Sequence, residues 1–288
     1  MRGAMRDCLA GCTLLLPALA LGGPPFQTDD PEPVDLGHYE FYIFSGVDGT
    51  PIETDLTGPA FEFNWGALPN TQLHAILAFG AIVPSNHPEY APAGIGPSAY
   101  GLLDTELGVK YRFVPESRYV PEIGTFPMIE LPTGSYARGL GVGNTWYKLP
   151  IWLQKDWGPW TTYGGGGYEV VSQVDYKNFP YAGWLLQRDI GQKWTLGGEL
   201  WYHGPEGLAT PQTQAATMFD FGGYYYFRKP AFQLLFALGH TIVGQSETYA
   251  YLGLYWTWGR SAQDKAADGP SAVDWSRTAR APLGRGQL

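Results

Sequence analysis

The sequence predicts an all-β protein, a transmembrane antiparallel up-and-down barrel of about twelve strands. Three observations lead there. Segments of about ten residues, the length a tilted strand needs to cross a bilayer, alternate apolar and polar side chains with aromatics at their ends. Connectors between them run short and long in turn. The last segment, Tyr249 to Trp258, puts Ala, Leu, Leu, Trp and Trp on one face and Tyr, Tyr, Gly, Tyr and Thr on the other. A lipid-facing strand with an aromatic girdle has this pattern. Composition agrees: 16% of the 288 residues are charged, 15% are aromatic and 39 are glycine. Mean hydropathy is −0.17, because alternation averages to neutral and hides the spans from a helix-seeking scan.

The elements follow in order. Arg2 and Arg6, an apolar run from Leu9 to Leu21 and the small residues Ala18 and Ala20 predict a cleaved signal peptide over 1–20. Both cysteines, Cys8 and Cys12, lie in that leader. The mature chain is therefore expected to have no disulfide, thiol nucleophile or cysteine metal site. Residues 21–37, rich in Pro and Asp, predict an irregular N-terminal segment, periplasmic or plug-like.

Twelve strand candidates follow: His38–Gly46, Gly58–Ala67, Thr71–Ile82, Leu102–Phe113, Tyr119–Leu131, Gly143–Leu153, Pro159–Val170, Phe179–Arg188, Lys193–His203, Ala216–Arg228, Ala231–His240 and Glu247–Trp258. Connectors after even strands are short, as in Leu68-Pro69-Asn70 and Lys229-Pro230. Those after odd strands are mostly longer, as in Val83–Gly101 and Gly204–Ala215. Short turns on one side, long loops on the other and an even count fit a bacterial barrel with both ends in the periplasm. The barrel is expected over 38–258, with a disordered tail over 259–288. A soluble sandwich also alternates, but does not need loop asymmetry, aromatic-ended strands and a final aromatic segment together.

The fourth strand fixes inside and outside. Leu103, Thr105, Leu107, Val109, Tyr111 and Phe113 share one face; Asp104, Glu106, Gly108, Lys110 and Arg112 share the other. A basic group turned to the bilayer midplane costs about 2–4 kcal/mol, so the charged row must face the lumen. The same parity places Glu40, Glu62, Glu122, Glu130, Lys148, Glu199 and Asp220 inside. These are the lumen candidates, read either as a selectivity lining or as an ion network filling a narrow bore. Trp152 and Trp201 also have lumen parity and are candidates for contact with a ligand.

Thr28, Asp29, Asp30 and Glu32 form the most distinctive local sequence. They are read as a plug whose carboxylates meet Lys110, Arg112 or Lys148, as a solvated lead-in shaped by prolines, or as oxygen ligands for a divalent cation without the EF-hand spacing. Gly164–Gly167 interrupts the seventh strand and predicts a bend or a lateral opening. Ser85-Asn86-His87 has the residue types of a phospholipase site, but they are consecutive in a Pro-rich loop; a nucleophile and its base need facing positions. The other histidines lack metal-ligand spacing. No cofactor or metal is expected, and an acidic chain of formal charge −9 without basic runs argues against nucleic acid.

Pro25-Phe26-Gln27-Thr28-Asp29-Asp30-Pro31-Glu32-Pro33-Val34, followed by His38-Tyr39-Glu40-Phe41-Tyr42, resembles the opening of the family of MetA-pathway of phenol degradation proteins. The resemblance rests on these two stretches and on overall architecture. It implies a transporter-like barrel in the outer membrane of a Gram-negative bacterium, linked to uptake of aromatic or other apolar compounds. Expected partners are outer-membrane lipids, the barrel assembly machinery that reads the Gly253, Trp256 and Trp258 end signal, and a small solute of unknown identity. The expected function is passive passage of small, apolar or aromatic compounds and not catalysis. The alternatives are a closed structural barrel acting through its surface loops and an outer-membrane phospholipase.

Overall fold

The computed structural model describes residues 24–84, 98–173, 176–205, 214–229 and 231–259. The leader, the tail and Ser85-Asn86-His87 lie outside the described residues. The strands are β1 His38–Gly49, β2 Glu53–Leu68, β3 Thr71–Pro84, β4 Ala99–Leu102, β5 Thr105–Val114, β6 Glu122–Thr125, β7 Met128–Leu131, β8 Trp146–Trp157, β9 Trp160–Val171, β10 Phe179–Ile190, β11 Trp194–His203, β12 Ala216–Arg228, β13 Phe232–Gly244 and β14 Thr248–Gly259. All pair antiparallel. β4 with β5, and β6 with β7, each make one stave, because β3 pairs with both β4 and β5, and β8 with both β6 and β7. The first strand pairs with the last, from His38↔Gly259 to Gly49↔Thr248. The result is a closed twelve-stave antiparallel barrel, the fold class the alternation predicts.

Two strands expected to be continuous are broken. The stave of β4 and β5 parts at Leu103-Asp104, because Asp104 leaves the ladder to accept the N–H groups of Gly134 and Val142, both at 2.9 Å. It thereby ties down the connector between β7 and β8. The stave of β6 and β7 parts at Phe126-Pro127, where proline has no N–H to give and Phe126 turns inward, 3% exposed. The first hairpin is longer than expected: β1 and β2 stay paired out to Gly49↔Thr54, beyond the register shift at Phe44/Gly46.

The Gly164–Gly167 run does not interrupt its strand. Pairing continues through it on both sides, from Trp152↔Gly165 on β8 to Trp184↔Gly164 on β10. A Cβ on Gly165 would lie 2.1 Å from the Ile151 carbonyl oxygen, and one on Gly166 2.5 Å from that of Tyr181. Glycine is needed here for close strand approach, not to open the wall.

Burial alternates as a membrane barrel requires. Phe63, Trp65, Leu77, Trp184, Leu200, Phe221, Leu238 and Leu252 are 39–63% exposed on the outside. Near the end holding the short turns, the outer aromatics meet from strand to strand: Trp194 lies tilted against Tyr225, Phe227 stacks on Phe232, Phe232 on Trp256, and Tyr39 on Phe63, Trp65 and Trp258. This is the interfacial girdle expected where strands leave the apolar layer. That end is called the turn end and the opposite one the loop end.

Leu238 lies mid-strand on β13 and faces outward, 63% exposed. Leu238→Arg should cost about 2–4 kcal/mol of bilayer folding stability, measured by urea titration in phospholipid vesicles; a negligible change would place this face outside the apolar layer.

Candidate functional site: the lumen and the segment inside it

The inward faces divide the lumen into two unlike walls. One, on β1, β12, β13 and β14, is tyrosine-rich: Tyr42, Tyr224, Tyr226, Tyr249, Tyr251 and Tyr255 pack with Met218 and Leu235. The other, on β2, β3, β5, β7 and β8, carries charge. There His74 bridges the side-chain oxygen of Asn64 at 2.7 Å and the carboxylate of Glu106 at 3.0 Å. Glu106 also receives Lys148 at 3.0 Å, and Lys148 lies 3.6 Å from Glu130. Asn64 donates to Glu62 at 2.8 Å. Glu40 joins the walls, accepting from Tyr255 at 2.8 Å and Tyr42 at 3.3 Å on one side and from Asn64 at 3.4 Å on the other.

Residues 24–37 run through the space between these walls. Their partners sit on inward faces around the circumference, which places the segment inside the barrel. At the turn end the Gly37 N–H donates to the Gly66 carbonyl at 2.8 Å, and the Val34 N–H to the Gln72 side chain at 2.9 Å. Further in, Gln154 donates to Glu32 at 3.3 Å. Lys110 holds Asp29 at 2.8 Å and Asp30 at 3.4 Å, with its ammonium 4.9 Å from the Phe126 ring centre. Glu199 accepts the N–H of Gln27 at 3.0 Å and that of Thr28. Phe26 is buried against Tyr163 and Leu185, and the Tyr249 hydroxyl donates to the Pro25 carbonyl at 2.8 Å. Thr28 is 0% and Asp30 2% exposed.

The wall is shaped to this occupant. A Cβ at Gly66 would sit 2.0 Å from the Asp35 carbonyl oxygen, one at Gly124 2.9 Å from the Pro31 side chain, and one at Gly183 1.9 Å from the Thr28 hydroxyl. Three recesses on three staves thus receive three points of one segment.

Of the three cations considered for the segment's carboxylates, Lys110 receives Asp29 and Asp30, while Glu32 accepts from Gln154. Arg112 instead donates to Glu122 at 3.2 Å and to Asn70 at 2.9 Å, and Lys148 serves Glu106 and Glu130. Asp29 and Asp30 face an ammonium, and the described residues contain no metal-holding cluster of three His, Cys, Asp or Glu. Asp104 anchors a loop. Glu199 and Asp220 are cross-strand neighbours, both 0% exposed. Trp152, 2% exposed, packs with Phe126 and Tyr181, and Trp201 lies 5.5 Å from Tyr181. His74 is the lumen residue that a search for metal spacing passes over. Its signal was parity: Gln72 and His74 alternate with outward Leu73.

Burial pushes the Asp30 carboxyl up to about 7 against the pull of Lys110, with Asp29 and Glu122 adding to the rise. Burial pushes Glu32 up to about 8, helped by Asp30, Glu122 and Asp156 and opposed by Arg112.

No family model matches the chain, and no match among curated proteins is found. Solved structures do share its fold. The COG4313 outer membrane channel from Pseudomonas putida F1 superposes with a TM-score of 0.66 at 16% identity, over 80% of this chain and 98% of that one. The NanC porin superposes with a TM-score of 0.50 at 10% identity, over 75% of this chain and 98% of the porin. The chain has the fold of outer-membrane channel barrels.

Two expectations follow. Gly66→Ala drives a methyl into the backbone of Asp35. It should raise protease sensitivity or amide exchange of residues 24–37 while the barrel keeps its heat-modifiable gel mobility; unchanged protection would show that the recess is not required. The docked carboxyls hold protons that free ones, with ordinary values of 3.8 and 4.5, have already lost. Docking should therefore weaken as pH rises from these free values through about 7 for Asp30 and about 8 for Glu32, and level off above them, where docked and free groups are alike ionised. Exchange protection of the segment, compared at about pH 5 and about pH 9 after correction for intrinsic exchange rates, should be greater at the lower pH.

Proposed function

We propose that this protein is a passive channel of a Gram-negative outer membrane for small apolar or aromatic compounds, and that its N-terminal segment occupies the bore in the state described. The observation that carries the reading is what fills the lumen: a stretch of chain that precedes β1 and belongs to no strand, not the barrel's own side chains alone. A lumen blocked by wall residues offers no route to opening. One blocked by a segment attached at Gly37 has a route, through the gap the segment leaves. The tyrosine wall supports the solute class. Six phenol rings beside Met218 and Leu235 give a surface on which an apolar or aromatic compound can lie, with hydroxyls to take a polar substituent. The charged wall opposite would be costly ground for such a solute, so passage would follow the tyrosines. The fold is that of proteins described as an outer membrane channel and a porin, and the opening residues' family resemblance points the same way.

A closed structural barrel is the second reading, favoured by the burial of Thr28, Asp30 and Pro31 in the bore. Planar-bilayer conductance separates the two. The refolded protein should conduct little, and a variant lacking residues 24–35 should conduct steadily and admit aromatic solutes into liposomes. A variant that is folded by its heat-modifiable mobility, yet neither conducts nor admits them, would leave the closed-barrel reading standing.

A further inference from the structure

The hairpin joining β10 to β11 carries two exposed cations at the turn end, Arg188 and Lys193. Each lies over an aromatic ring of a flanking strand. The Arg188 guanidinium is 5.0 Å from the Trp160 ring centre on β9, its cross-strand partner, and the Lys193 ammonium is 5.9 Å from that of Tyr225 on β12. Both rings have outward parity, so the cations are held at the level of the aromatic girdle.

The carboxylate between them in sequence does not neutralise them. Asp189 turns to Lys229 at 2.9 Å and accepts from the Thr195 hydroxyl. Among the described residues, no carboxylate lies within ion-pair distance of Arg188 or Lys193. Beside them on the outer face stand Trp184, Leu186, Ile190 and Trp194, 41–53% exposed. Cations stacked on girdle aromatics next to an apolar surface meet lipid where phosphate and acyl chain join.

We propose that the turn-end face of the β10–β11 hairpin binds anionic phospholipid, with Arg188 and Lys193 each offering its charge to a headgroup phosphate and the Trp184, Leu186 and Ile190 surface against the acyl chains. The inference rests on the reading that the apolar belt sits in a bilayer. The partner is chosen by charge: the chain is acidic overall at −9, so attraction of an anionic headgroup must come from a local feature.

The test is native mass spectrometry of the protein in nanodiscs of mixed phosphatidylglycerol and phosphatidylcholine. The wild type should retain phosphatidylglycerol beyond its share of the bilayer. Arg188→Gln and Lys193→Gln should each lower that enrichment, by about fivefold for a cation at a lipid surface. Arg118→Gln removes an exposed turn-end cation that lies over Tyr119, and should leave the enrichment intact. Unchanged enrichment in the double variant overturns the proposal, as does an equal loss in the Arg118 variant, which would show a diffuse charge effect. Abolition of enrichment by inorganic phosphate would reassign the site to free anions and also overturn it. Failure of the wild type to insert into nanodiscs would overturn the membrane reading itself, a result distinct from insertion without lipid preference.

Discussion

Closure of β1 onto β14 is the constraint on which the other features depend. In an apolar layer no water is available for a free strand edge, and each unpaired N–H or C=O costs several kcal/mol. An open sheet of these strands would carry two such edges, and the His38–Gly49 ladder with Thr248–Gly259 removes both. Once the sheet is a cylinder, its two faces have different solvents. Every second residue must be apolar for the outside, and every other one must find partners inside. The tyrosine wall, the charged wall and the girdle are consequences of that division.

The interior is then a problem of satisfaction. Lys110, 4% exposed, is compensated by Asp29 and Asp30, which belong to the segment, not to the wall. Leaving one member of a buried ion pair without its partner costs about 3–5 kcal/mol unless water replaces it. Glu199 is likewise served by two backbone N–H groups of the segment. Barrel and segment are therefore one hydrogen-bonded structure. The segment contributes to the interior as a core element does, although it makes no strand.

Much of this was legible in sequence. Parity placed Lys110, Glu199, Trp152 and Trp201 inward because a strand's side-chain period is two residues and lipid tolerates little error. Loop lengths gave the topology. What escaped depended on contacts between residues distant in the chain. Nothing local to Thr28-Asp29-Asp30 tells that Lys110, and not Arg112 or Lys148, lies opposite; that follows from how far the segment climbs before it meets β5. The break at Asp104 was hidden because its alternation is intact and only the loop at Gly134 and Val142 draws it out of line. The glycine run looked like a weakness because the close approach of the Ile151 and Tyr181 carbonyls exists only in the folded wall.

The segment's attachment at Gly37 gives it the standing of a tethered ligand. A short connection holds a binding group at an effective concentration on the order of millimolar, and here it leads directly into β1. That local concentration adds to the contacts that keep Pro25–Val34 in place. A solute reaching for Glu199, Lys110 or the tyrosines near Pro25 must compete with that local concentration. Its apparent affinity is thus set by the tether as much as by the wall it touches.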